Sequence, residues 1–139
     1  MTPQDNAQIA KQAYDNFKRG DIPSLLNQLT DDVQWELPDV QGVPHAGKRQ
    51  GRAAVADFFS QLAAMQEVLS FEPREFVSQG DKVVVLGTYT YRVKQTNKQF
   101  TSDWAHVFTI VNGKITGFQE YTDTAAVAGA FQGRAASAA

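Results

Sequence analysis

Apolar residues recur at helical spacing early in the chain and alternate with polar ones in its second half. Ile9, Ala10, Ala13, Tyr14 and Phe17 share one face of a predicted helix. Thr2-Pro3-Gln4-Asp5 supplies its start: Thr2 caps, Pro3 suits the first helical position, and Asp5 reaches back as in a capping box. Gly20 ends the helix, and Asp21 caps a short second one carrying Ile22, Leu25, Leu26 and Leu29. Val33, Trp35 and Leu37 alternate as one face of a strand that Pro38 closes. Residues 39–50 have no period, so they predict a loop of a length that often carries function; it contains His45. A third helix is predicted over 52–69, with Val55, Phe58, Phe59 and Leu62 on a broad apolar face.

The rest predicts strands, over 70–78 and 82–94, and then a hairpin over 101–124 around Asn112-Gly113. Polar or amphipathic side chains interrupt that hairpin: Trp104, His106, Glu120, Tyr121 and Asp123. A strand facing only a packed core has no need of an imidazole and a carboxylate; a strand lining a ligand pocket does. Register decides which groups meet. A two-residue turn pairs His106 with Gln119 and Trp104 with Tyr121. A three-residue loop ending at Gly113 pairs Trp104 with Glu120 and His106 with Phe118. One residue of slip turns the partner strand over, and periodicity does not choose between the two. Asp123 is placed to cap the segment after the last strand. Residues 125–139, rich in Ala, Gly and Ser, predict a short helix to about Phe131 and then a flexible tail.

This order predicts one α+β domain over 1–139: helices on one face of a curved antiparallel sheet, closing as a cone with an open mouth. Charge and composition narrow the function. The net charge is −2 and the pI about 5.6, which offers no basic face and argues against nucleic acid as partner. There is no cysteine, so disulfides, thiolate metal sites and a cysteine nucleophile are excluded. The two histidines, His45 and His106, have no metal-binding spacing, and no Gly-rich phosphate loop precedes a helix. No leader-like start and no run approaching the roughly 20 apolar residues of a membrane span occurs. The expectation is a cytoplasmic protein without membrane contact.

Several segments carry a family resemblance: R-G-D-I-P-S-L-L at 19–26, D-D-V-Q-W at 31–35 and G-V-P-H-A-G-K-R-Q-G-R-A-A-V-A-D-F-F at 42–59. G-D-K-V-V-V-L-G at 80–87, W-A-H-V-F at 104–108 and G-K-I-T-G-F-Q-E-Y-T-D at 113–123 complete the set. Together they resemble the SnoaL-like branch of the NTF2-like, or ketosteroid-isomerase-like, superfamily. That resemblance implies a conical barrel with a deep apolar pocket, a homodimer, and no cofactor or metal. It implies the bulged register, with Trp104, His106, Phe108, Phe118 and Glu120 facing the cavity. The chain departs from the ketosteroid isomerases, whose catalytic Asp precedes the first strand's proline, because Leu37 stands there. Their helix-one tyrosine is nearly matched by Tyr14, one residue out of step. Limonene epoxide hydrolases need Arg-x-Asp where this chain has Trp104-Ala105-His106. Cyclases pairing an imidazole with a carboxylate are the nearest chemical match.

The candidate catalytic pair is therefore His106 and Glu120. An imidazole holds or releases a proton near neutral pH, and a carboxylate on an apolar wall suits acid–base work. The competing readings are a hydrogen-bonded wall residue for His106 and a solvent-facing position for Glu120. Tyr14, Trp35, Leu37, His45, Phe58, Trp104, Phe108 and Phe118 are the candidate substrate contacts. Lys48, Arg49 and Arg52 read as a solvated charge cluster. The expected partners are a hydrophobic small molecule and a second copy of the chain, because Val84, Leu86, Val107 and Tyr121 need cover on the sheet's other face. The reaction would be an isomerisation, cyclisation, dehydration or hydrolysis. The alternative is a ligand-binding or dimerisation protein without catalysis.

Overall fold

The computed structural model describes residues 2–132. The N-terminal capping box forms: Thr2 Oγ1 accepts from the Asp5 amide and Asp5 accepts from the Thr2 amide, opening α1 (Pro3–Lys18). Gly20 follows the helix at φ +72°, and Asp21 caps α2 (Ile22–Asn27). Then come β1 (Leu29–Glu36), β2 (Lys48–Gln50), α3 (Arg52–Met65), β3 (Gln66–Gln79), β4 (Lys82–Val93), β5 (Gln99–Val111), β6 (Lys114–Thr122) and α4 (Thr124–Phe131).

The six strands form one curved, unclosed sheet in the order β2-β1-β6-β5-β4-β3. β1 runs parallel to β6, and every other pair is antiparallel. The helices pack against the inner face and make the α+β cone. Alternation along β4 and β5 sends Val83, Val85, Tyr89, Tyr91 and Val93, and then Phe100, Trp104, His106, Phe108 and Ile110, into the buried interior. Asp123 caps α4 through the Ala126 amide, as its place after the last strand implied. The tail expected beyond this helix lies outside the described residues.

Three expectations need correction. The third helix stops at Met65 rather than at 69, because Gln66, Glu67 and Val68 pair with Val93, Arg92 and Tyr91 of β4. Val68 and Leu69, inside the predicted helix, are exposed. Residues 48–50 are not loop; they form β2 against Gln34, Trp35 and Glu36.

The hairpin register is neither of the two expected. Asn112 and Gly113 make a two-residue turn, with φ of 51° and 80°, the left-handed pair such turns require. Val111 then faces Lys114 and Ile110 faces Ile115, but Thr109 faces Gly117. Thr116 is the extra residue of a bulge that shifts the ladder beyond the turn. Phe108 therefore faces Phe118, and His106 faces Glu120 directly. Of the inward set expected from the bulged loop, His106, Phe108, Phe118 and Glu120 reach the cavity together, but Trp104 now meets Thr122 and does not line it.

Candidate active site

His106 and Glu120 sit opposite each other because the Thr116 bulge puts them there. His106 Nε2 lies 2.9 Å from Glu120 Oε2. From α1, the Tyr14 hydroxyl lies 2.7 Å from His106 Nδ1. The imidazole is thus hydrogen-bonded at both nitrogens, in a line running Tyr14–His106–Glu120. An ionised carboxylate accepts only, so the nitrogen facing it carries the proton. Burial, with Glu120's charge as the lesser cause, holds the Tyr14 phenol well above its usual range, so it keeps its proton. With the ring neutral, Tyr14 O–H donates to the Nδ1 lone pair. These bonds fix one tautomer.

Trp104 fixes the plane of the ring. Its indole stacks on His106 at 3.9 Å between centroids and 18° between planes. Phe71 packs on Trp104 in turn, at 5.3 Å. Space for the indole comes from Gly87, directly across the ladder. A Cβ there would collide with the Trp104 six-membered ring and with the Glu72 carbonyl oxygen.

Above this network opens a cavity of about 100 Å³, counted as room for the centre of a water-sized sphere. That is several times the roughly 10–15 Å³ that one water needs. Its wall includes Tyr14, Trp35, Leu37, His45, Phe58, His106, Phe108, Phe118 and Glu120, nine of the ten residues singled out from sequence. The exception is Trp104, which stands behind the imidazole; its ring borders a depression on the outer face with Leu86, Ala105 and Tyr121. Sequence reasoning passed over Gln66, Tyr89, Tyr91 and Thr122, which also line the cavity. The two tyrosines were legible: they continue the alternation of Val83 and Val85. Gln66 was hidden by the misplaced helix end.

Among the described residues Glu120 is the one carboxylate that lines the cavity, and no lysine or arginine lines it. Burial, and then Glu120's charge, pushes Tyr89 and Tyr91 far upward, so both phenols are neutral. Tyr89 O–H donates to Thr122 Oγ1, whose own hydroxyl bonds Ser102. Burial likewise pushes His45 down to about 4, against the charge of Glu120 and with that of Arg49. Its loop is pinned by Arg49, which donates to the Pro44 and Ala54 carbonyls, to Asp57 and to Gln61. Arg49 is therefore a structural brace and not part of a solvated cluster, and Arg52 pairs with Asp31 at 2.7 Å. Among the described residues no three His, Cys, Asp or Glu side chains gather as a metal site.

A profile of the SnoaL-like domain matches residues 10–118, most of the chain. The chain belongs to the SnoaL-like family. An NTF2-like protein from Burkholderia xenovorans LB400 is 40% identical over 95% of this chain and 99% of its own, with a TM-score of 0.86. TerC, co-crystallised with polyporic acid, is 28% identical over 93% of this chain and 99% of its own, with a TM-score of 0.80. A structure described as a SnoaL-like polyketide cyclase from Mesorhizobium loti, 24% identical over 87% and 99% of the two chains, shares the fold at a TM-score of 0.71. No match is found among curated proteins. As a SnoaL-like domain, the chain has the conical fold that its segments resembled. No helix among the described residues is long and apolar enough to cross a membrane.

Proposed function

We propose that this SnoaL-like protein is a cofactor-independent acid–base enzyme that moves a proton on a small, largely apolar molecule. Isomerisation, cyclisation, dehydration and hydrolysis all need such a step. The observation that carries the reading is the Tyr14–His106–Glu120 line at the edge of an apolar cavity. It also divides the labour differently from a simple pair. His106 has no nitrogen left for a substrate, whereas Glu120 is bonded through Oε2 alone among the described residues, with the Tyr89 hydroxyl close enough to act on it. Glu120 is the group that exchanges a proton with substrate. His106 and Tyr14 position it and stabilise its charge.

The test needs a carbon acid that fits. 2-Tetralone offers an apolar ring system and exchangeable protons beside a carbonyl. The protein should speed deuterium uptake at those carbons, followed by NMR, and Glu120→Gln should abolish the acceleration. Unchanged exchange in that variant would sink the reading. A second reading, a ligand carrier without chemistry, draws on the full occupancy of His106. It predicts tight binding, with no exchange in either protein. The co-crystallisation of TerC with polyporic acid supports a small-molecule ligand under both readings.

The homodimer belongs to the same proposal. Leu86 and Tyr121 are exposed on the outer face, with Val84 and Val107 half-buried beside them. A second copy would cover them, and sedimentation showing a monomer at micromolar concentration would exclude it. A cytoplasmic setting is consistent with the absence of cysteine.

A further inference from the structure

His45 is 4% exposed and lines the cavity, yet its Nδ1 is buried with no hydrogen-bond partner among the described residues. Buried polar groups are nearly always satisfied, so a partner from outside the chain is the natural completion. The same wall holds a second orphan. Trp35 Nε1 is buried without an acceptor, and both rings pack on Phe58, at 5.8 Å for Trp35 and 6.0 Å for His45. An indole N–H can only donate, and a neutral imidazole has one N–H to give. Among the described residues no acceptor reaches Trp35 Nε1 and no partner reaches His45 Nδ1. The loop is not slack: Arg49 ties the Pro44 carbonyl, next to His45, to α3.

We infer that His45 is the donor that holds a carbonyl oxygen of the ligand, on the wall it shares with Trp35. This rests on the proton-transfer reading of Glu120 and completes it. When Glu120 takes a proton from the carbon beside that carbonyl, the C–H electron pair forms the enolate double bond. The carbonyl π pair moves onto oxygen, which becomes an oxyanion. Reprotonation by Glu120, at the same or a conjugated carbon, reverses the flow, so no co-reactant is needed. A donor aimed at such an oxygen is worth most where water is excluded. A neutral imidazole suits the task, because an imidazolium would surrender its proton to the enolate and trap it. Burial keeps His45 neutral. With no lysine or arginine on the wall among the described residues, a neutral ketone, which needs only this N–H, suits it better than a ligand with a fixed anionic group.

Binding of 2-tetralone and of tetralin, the same skeleton without the oxygen, reads this directly by tryptophan fluorescence. The wild-type protein should prefer the ketone by about tenfold, the worth of one hydrogen bond made in a dry site. His45→Phe should erase that preference while still binding tetralin, which also shows that the variant folds. His45→Gln, which restores an N–H donor, should recover part of it. Glu120→Gln should keep the preference while losing deuterium exchange, so the two assignments fail separately. A wild-type protein that does not distinguish the ketone from the hydrocarbon overturns the assignment. So does a His45→Phe variant that keeps the full preference.

Discussion

His106 and His45 are equally buried, each 4% exposed, and line the same cavity, but they are held by opposite means. His106 sits mid-strand on β5, bonded at both nitrogens and stacked on Trp104. His45 sits on a loop, packed against the rings of Phe58 and Phe131, with its Nδ1 unbonded among the described residues. The strand supplies neighbours at fixed spacing, so a chain of hydrogen bonds can be built across it. The loop supplies only burial, which strips the imidazole of water without replacing it. Equal burial therefore yields two different tools: one histidine whose proton is committed to the protein, and one whose proton is free for a ligand.

The sharpest way to break this comparison is at Glu120. Glu120→Gln leaves an amide oxygen that still accepts from His106 Nε2–H, so the fold should hold. It removes the carboxylate that takes the proton. A positioned proton transfer is typically worth about 10²–10⁴-fold in rate, and the deuterium exchange rate should fall by that order. A small loss would mean that His106 is not committed and reaches the substrate itself.

The unbonded histidine is exposed by acid. His45 titrates near 4 in the folded protein against the ordinary 6.5 of an unfolded chain. As pH falls below 6.5, the unfolded chain takes up a proton that the folded protein refuses until about pH 4. Stability is therefore fully present above 6.5 and drains away across that window, by about 3 kcal/mol at its end. Glu120 and Arg49 are the charges that act on the ring, in opposite directions. Urea melts at several pH values should show a flatter acid limb for His45→Phe than for wild type. Parallel limbs would show that the loop opens and hydrates the imidazole before it titrates.

These contrasts also mark what the sequence could carry. Capping at Thr2 and Asp21, the alternation of β4 and β5, and the inward set around His106 are local patterns, and they were readable. The Thr116 bulge was not, because T-G at 116–117 reads equally well as regular strand. Without it the direct His106–Glu120 pairing stays out of reach, although both residues stand out as polar groups on an apolar wall. The end of α3 was lost to tertiary pairing: Val68 and Leu69 keep helical spacing, but β4 claims the backbone. The role of Trp104 turns on Gly87, a residue far away in sequence with no side chain to announce itself. Gly87→Ala should push the indole off its seat and with it the plane of His106. Overpacking of this kind costs about 1–3 kcal/mol, visible as a lower urea midpoint. Retained stability would show that the sheet relaxes locally, and His106 would then prove less firmly held than its stacking implies.

The finest adjustment is at Tyr14. Tyr14→Phe deletes one hydroxyl and leaves the ring that packs against Phe71, Phe76 and Phe108. It frees Nδ1 of His106 and so turns that residue halfway into a second His45. The loss in stability should be about 1 kcal/mol, the net worth of one buried hydrogen bond. The informative signal is in the imidazole nitrogens. In the wild type, with the ring neutral, Glu120 and Tyr14 together demand a proton on Nε2 and a lone pair on Nδ1. In the variant only Glu120 makes a demand. If Glu120 alone suffices, nitrogen NMR will still show a single Nε2–H tautomer, and Tyr14 merely fills space and adds one bond. If the variant shows mixed tautomers, and deuterium exchange falls with them, then the hydroxyl is what keeps the proton facing Glu120. The first outcome is expected, because an ionised carboxylate can only accept, so Nε2 carries the proton whether or not the Tyr14 hydroxyl is present.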